Sequence, residues 1–224
     1  MVALFVLLTV ILFLIIDLLI QKVNAKKETA SANNVNGNTL SIEAFRVPQG
    51  YFFYPGHTWA NIQPSGNVLV GMDDFVQKLV GSIEEIKTKK PGESIEQGEP
   101  MLQIRQGNRL LELIAPVNGF ITEVNETTVT DSSQLQKFPY TKGWIYKIHP
   151  TRLSKDISRL YIAEKSVAWF KSELNRLRDF LQSPALVPSK VGVTLQDGGI
   201  LIGGLVSHLN DQAWAKFEAN FLRR

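Results

Sequence analysis

The chain has 224 residues, enough for one domain with additions or for two small domains. Its formal net charge of +3 comes without a basic block, so the sequence argues against nucleic acid as a partner. It contains no cysteine, which excludes disulfides, thiol catalysis and cysteine-ligated zinc. The three histidines, His57, His149 and His208, lie far apart in sequence and predict no metal site.

The first segment of the chain is almost wholly apolar. Residues 2–20 read VALFVLLTVILFLIIDLLI, and only Thr9 and Asp17 interrupt the run. A helix of about 20 apolar residues spans the core of a bilayer. A secretory signal peptide is the alternative, but no basic residue precedes the run. We therefore predict a transmembrane anchor over residues 1–23.

The charges beside this segment predict its orientation. Lys22, Lys26 and Lys27 follow the apolar run, and no charged side chain precedes it. The positive-inside rule then predicts a single-pass protein of the inner (cell) membrane with a cytoplasmic soluble domain, bound to the membrane through residues 2–20. Asp17 lies near the end of the run, where it either reaches the membrane interface or contacts a partner within the membrane.

A polar stretch and then a series of short strands follow. Residues 24–40 are rich in Asn, have no periodicity and predict a flexible tether. Residues 73–80 predict a short helix with an aspartate cap. The remainder of residues 41–150 alternates short apolar stretches with turns, which is typical of a small barrel or sandwich.

The middle of this region predicts a β-hairpin over residues 98–119. Two short strands flank a tight turn at Gly107, a residue that accepts the positive φ of such turns. No lysine occurs between Lys90 and Lys137, so the predicted turn carries none.

The order of these features resembles the H protein of the glycine cleavage system, a family of lipoyl carriers. The likeness is carried by residues 57–60 (HTWA), 70–80, 115–125 and 139–148 (PYTKGWIYKI), in the order that the family has them. It covers about half of the chain. The resemblance implies a mainly β, lipoyl-domain-like barrel-sandwich hybrid with flanking helices.

The sequence departs from the family at the site that defines it. H proteins carry the lipoylated lysine eight residues before the proline of the next turn, and counting back from Pro116 gives Asn108. Arg105 stands where the family has glutamate, and Arg109 where it has alanine. An asparagine cannot form the lipoyl amide. The comparison therefore implies a scaffold without its lipoyl cofactor, and no catalytic or metal-binding residue is predicted. Arg105 and Arg109 are either a solvated turn or a docking patch for an acidic partner.

The chain continues beyond the expected carrier domain. Residues 160–182 have helical periodicity and predict an amphipathic helix, which closes an H-protein-like domain over residues 41–182. Residues 183–224 predict a small α+β extension with a hairpin and a last helix. Trp214, Phe217 and Phe221 form one stripe of that helix, which packs either on its own domain or on a partner.

Three functions fit these features. A non-catalytic, non-lipoylated scaffold or interaction subunit of a membrane-associated complex explains the apolar segment, the missing lysine and the extension. A carrier modified on Lys87, Lys89 or Lys90 is an alternative. So is a periplasmic adaptor of the membrane-fusion type, although the long helical hairpin of such adaptors is missing from the sequence. The sequence contains no nucleophile elbow, paired-carboxylate motif or phosphate loop, so no motif in it predicts an enzyme.

Overall fold

The computed structural model describes residues 45–181 and 204–223 of the chain. The predicted transmembrane segment with Asp17, the predicted tether and the predicted hairpin after residue 190 lie outside the described residues.

Short antiparallel strands form the two sheets of the described residues. They are β1 (Phe52–Tyr54), β2 (Thr58–Ile62), β3 (Val68–Met72), β4 (Glu85–Thr88), β5 (Ser94–Ile95), β6 (Pro100–Gln106), β7 (Arg109–Ile114), β8 (Gly119–Val124), β9 (Trp144–Pro150) and β10 (Tyr161–Ile162).

Helices lie between these strands and after them. They are α1 (Asp74–Val80), α2 (Glu126–Thr130), α3 (Ser133–Lys137), α4 (Leu153–Ile157), α5 (Glu164–Leu181), a 3₁₀-helix (Leu205–His208), α6 (Asp211–Phe217) and a π-helix (Glu218–Leu222). Residues 204–223, which hold the last three of these, are called the C-terminal segment below.

The strands form two sheets that share one core. One sheet has the order β10-β1-β2-β3-β9-β8-β5, and the other has the order β4-β6-β7. Trp59, Val70 and Tyr146 of the first sheet and Ile104 and Leu111 of the second are buried in a common apolar cluster. This arrangement confirms the prediction of a mainly β fold with flanking helices.

The short predicted helix is present as α1, and its start follows from one side chain. The Oδ1 atom of Asp73 accepts hydrogen bonds from the backbone amides of Phe75 (3.0 Å) and Val76 (3.1 Å), which are otherwise unpaired donors of the first turn. Gly81 ends the helix with φ of 74°. Both signals are local, which is why the sequence predicted this element.

A set of polar contacts fixes the turn that follows the hairpin of β6 and β7, which is called the central hairpin below. Asn118 donates its backbone amide to Asp156 Oδ2 of α4 at 2.8 Å, and its side-chain amide to Asp156 Oδ1. Arg152 and the backbone amide of Gln97 donate to Asn118 Oδ1 at 3.0 and 3.2 Å. These contacts hold α4, which the sequence did not predict, against the end of the hairpin.

The candidate functional site

The central hairpin presents a two-residue turn. Gln106 of β6 pairs with Arg109 of β7, so Gly107 and Asn108 form the apex. Gly107 has φ of 57°, which glycine adopts without steric cost and which confirms the predicted tight turn. Asn108 is exposed beside an open cleft of about 530 Å³, which Ser82 and Ser207 also line. The apex is therefore accessible, and its side chain is a neutral amide.

Arg105 meets an acidic side chain of its own sheet. It lies opposite Glu85 in the pairing of β4 with β6, and its Nε donates to Glu85 Oε2 at 2.8 Å. Both side chains are on the surface. An acidic partner would have to compete with Glu85 for this guanidinium.

Arg109 points toward the C-terminal segment. Its Nη1 donates to the carbonyl oxygen of Val206 at 2.7 Å, and its Nη2 donates to that of Leu209. The guanidinium lies 4.8 Å from the ring centre of Trp214, and Asp211 Oδ1 lies 3.8 Å from Nη2. Both guanidinium groups are thus engaged within the chain, Arg105 by Glu85 and Arg109 by the C-terminal segment.

The aromatic stripe of α6 and the π-helix faces the domain itself. Trp214, Phe217 and Phe221 are 8%, 0% and 1% exposed. Phe221 lies 6.0 Å from Phe75 of α1 and 5.9 Å from Phe180 of α5, measured between ring centres. Of the two alternatives for this stripe, packing on its own domain is the one that the structure has.

A buried ionic network joins the turn before β2, the N-cap of α1 and helix α5. His57 Nδ1 lies 2.8 Å from Asp73 Oδ2, and its Nε2 lies 3.9 Å from Glu173 Oε2. Arg176 Nη1 donates to both oxygens of Glu173 at 2.5 Å. His57 has φ of 61° and stacks on Phe75, with 4.2 Å between ring centres. The network holds α5 on the domain.

The network favours a protonated His57. Burial of the ring lowers the pKa of His57, but the charge and hydrogen bond of Asp73 and the nearby Glu173 outweigh it and raise that pKa to about 9. Burial raises the pKa of Glu173, and the cations of His57 and Arg176 more than offset it, so this pKa lies below its ordinary value. All these side chains except Arg176 are almost fully buried, so the network has no access to a substrate.

Sequence reasoning missed this network. It assigned His57 to a family motif and found no partner for it, since Glu173 lies on a helix far along the chain. The only sequence signal is an acidic residue, Glu173, on the apolar face of α5 beside the buried Phe170 and Leu174.

The two-sheet β domain with a turn at the apex of a hairpin is the architecture expected of a lipoyl-carrier-like domain. The family model "Glycine cleavage H-protein" matches residues 51–173, more than half of the chain. The chain belongs to the glycine cleavage H-protein family.

Two curated relatives agree with this assignment. The chain is 31% identical over 133 residues to a probable glycine cleavage system H protein of Pyrococcus abyssi, which covers 59% of this chain and 98% of the relative. It is 29% identical over 139 residues to glycine cleavage system H protein 2 of Aquifex aeolicus, covering 60% and 86%. A crystal structure of a glycine cleavage system H protein from Mycobacterium marinum is similar with a TM-score of 0.48 and 25% identity, covering 56% of this chain and 99% of that one.

The predicted localisation is corrected by these findings. A single-pass protein of the inner membrane was expected, but the relatives are glycine cleavage system H proteins. Within residues 45–181 and 204–223, no helix combines the length and apolar character needed to cross a membrane.

Proposed function

We propose that this chain is a non-lipoylated, non-catalytic H-protein-like module that serves as a scaffold or interaction subunit of a protein complex. Asn108 carries the proposal. It lies at the apex of the hairpin, at the position that the resemblance assigns to the lipoyl lysine. The nitrogen of its amide is not nucleophilic, and its side chain is too short to carry the arm.

The surroundings of Asn108 support the same conclusion. No lysine lies on β6, on the turn or on β7, so the hairpin offers no substitute amine. Arg109, next to the apex, is occupied by the C-terminal segment through hydrogen bonds and its contact with Trp214. A carrier would present its cofactor at the apex of this hairpin. In this proposal the hairpin instead holds the C-terminal segment beside the apex.

The partners in this proposal are proteins that recognise an H-protein-like surface. The other components of the glycine cleavage system are the first to test, since H-protein domains interact with them. Binding without a lipoyl arm would let the module occupy such a surface without transferring an aminomethyl group.

Intact-mass measurement of the protein from its native source tests the proposal. We expect the mass of the unmodified chain, while a lipoylated H protein from the same cells serves as the positive control. A mass increase that fits lipoate on any lysine, including Lys87, Lys89 and Lys90, would overturn the proposal. Purification of the chain as a monomer with no stoichiometric partner would argue against an interaction subunit.

A further inference from the structure

A groove on the domain receives the C-terminal segment. Helix α1, the β6–β7 hairpin and the last turns of α5 form its walls, and it is called the helix groove below. The backbone amide of Gly204 donates to Lys78 O of α1 at 3.3 Å. Leu222 O lies against Gly56, where a Cβ atom would be only 2.9 Å from it. The segment therefore lies close to the domain at both of its ends.

Two arginines of the domain hold the segment in the same way. Arg109 covers the ring of Trp214 at 4.8 Å and donates to Val206 O at 2.7 Å. Arg176 covers the ring of Phe221 at 4.9 Å and donates to Asn220 O at 2.7 Å. Each arginine thus combines a cation–π contact with a hydrogen bond to a backbone carbonyl.

The segment is an addition to the domain. The family match ends at Glu173, and 133 residues of this chain account for 98% of the Pyrococcus abyssi relative. Helix α1 and the hairpin, two walls of the helix groove, lie within the matched residues. The fold of the family is thus complete without residues 204–223, and these residues occupy the groove as an attached ligand would.

We propose that the helix groove is a binding site for an amphipathic helix. Residues 204–223 fill it as an intramolecular ligand. A partner protein binds by placing a helix with the same aromatic spacing in the groove. The proposal rests on the interaction role proposed above and deepens it by naming the surface and the class of partner.

The chemistry of the groove defines that class. The segment inserts aromatic side chains at positions i, i+3 and i+7, namely Trp214, Phe217 and Phe221. The hydrogen bonds from Arg109 and Arg176 go to backbone carbonyls, which every helix end or irregular turn offers. A partner helix with three aromatic residues at this spacing meets both requirements. Helix-in-groove recognition by such spaced anchors is a general mode of binding.

The attached segment has an advantage over a partner. Because it belongs to the same chain, its effective concentration at the groove is high, on the order of millimolar for linked binding modules. A partner helix must compete with it, so the intact chain binds such helices only weakly.

The test is to cut the connection in the full-length protein. A specific protease site placed between Pro188 and Ser189 allows cleavage after folding, and neither the groove nor the segment is altered. A fluorescent peptide of residues 204–224 is then titrated against the cut and the uncut protein. We expect the peptide to bind the cut protein at least about 100-fold more tightly, the order of the intramolecular advantage.

Matched controls identify the site and the partner class. A peptide with Trp214→Ala, Phe217→Ala and Phe221→Ala should not bind. Arg109→Ala in the cut protein should weaken binding of the native peptide, whereas Arg105→Ala on the same hairpin should not, because Arg105 pairs with Glu85. A helical peptide that keeps only the three aromatic positions should bind, and its failure would contradict the stated partner class.

Equal affinity of the peptide for cut and uncut protein would overturn the proposal, and so would a folded cut protein that binds neither its own fragment nor the peptide. If cleavage unfolds the domain, uncut Trp214→Ala gives the second measurement. Its weakened segment should admit the peptide at least about tenfold more tightly than the wild type does, and equal affinity would again contradict the proposal. A lipoyl group found by mass would refute the non-lipoylated module proposed above, whereas the peptide titration tests the groove and does not depend on that result.

Discussion

The guanidinium of Arg109 lies over the indole of Trp214, with 4.8 Å between the guanidinium carbon and the ring centre. The two residues come from the central hairpin and from a segment beyond the family match, so this contact joins the family fold to its addition. Arg109, beside the apex of the hairpin, thus helps to hold the C-terminal segment on the domain.

Arg109→Ala should destabilise the protein. The change removes a cation–π contact and two charge-assisted hydrogen bonds to carbonyl oxygens, and we expect a loss of about 2 kcal/mol in the free energy of unfolding. Urea unfolding followed by circular dichroism measures it.

The matched control for Arg109 is Arg105→Ala on the same hairpin. Arg105 forms one exposed ion pair with Glu85, and such pairs contribute about 0–1 kcal/mol. Equal losses for the two variants would contradict the anchoring role of Arg109.

Phe221→Ala should be among the most damaging changes in the C-terminal segment. Phe221 is 1% exposed and packs between α1 and α5, so truncation leaves a cavity and costs about 3–5 kcal/mol. Phe120, which is 50% exposed on β8, is the control, and Phe120→Ala should change stability by only about 0.5 kcal/mol. Thermal unfolding of both variants distinguishes a docked segment from a loosely attached one.

Local signals carried most of what the sequence could predict. The Asp73 cap, the turn at Gly107 and the alternation of short strands each depend on neighbouring residues, and the structure has all of them. The family resemblance was predictable for the same reason, because its motifs are short and follow one another in a fixed order.

Contacts between distant residues were not predictable in this way. Arg109 and Val206 are 97 positions apart, and no local pattern connects them. The sequence showed an aromatic stripe at helical spacing but not the surface that buries it. His57 likewise gave no sign of Glu173, since both partners become neighbours only when α5 packs on the sheet.

Stability should depend on pH through His57. The pKa of its imidazole is about 9 in the folded protein against an ordinary 6.5, so the folded state binds the proton more tightly than the unfolded state does. The contribution of protonated His57 to the free energy of unfolding is complete below about pH 6.5 and is lost as the pH rises through about 9. A shift of this size corresponds to at most roughly 3 kcal/mol.

Urea unfolding at a series of pH values from about 6.5 to 9 tests the role of His57. His57→Gln should be less stable and should lose most of the decline with rising pH, because the replaced side chain does not titrate. The exposed His149 provides the control, and His149→Gln should keep the decline. A His57→Gln variant with an unchanged slope would place the titrating group elsewhere.

Restoring a lysine at the apex tests how far the hairpin has departed from a carrier. Asn108 is exposed on a two-residue turn, so Asn108→Lys should fold with a stability within about 0.5 kcal/mol of the wild type. We expect little modification when this variant is incubated with lipoate, ATP and a lipoate–protein ligase, because a basic residue, Arg105, stands at the position where the resemblance places an acid. The double variant Arg105→Glu, Asn108→Lys restores both family positions and should be modified to a greater extent, as measured by intact mass. Full lipoylation of the single variant would mean that the missing amine alone separates this hairpin from that of a carrier.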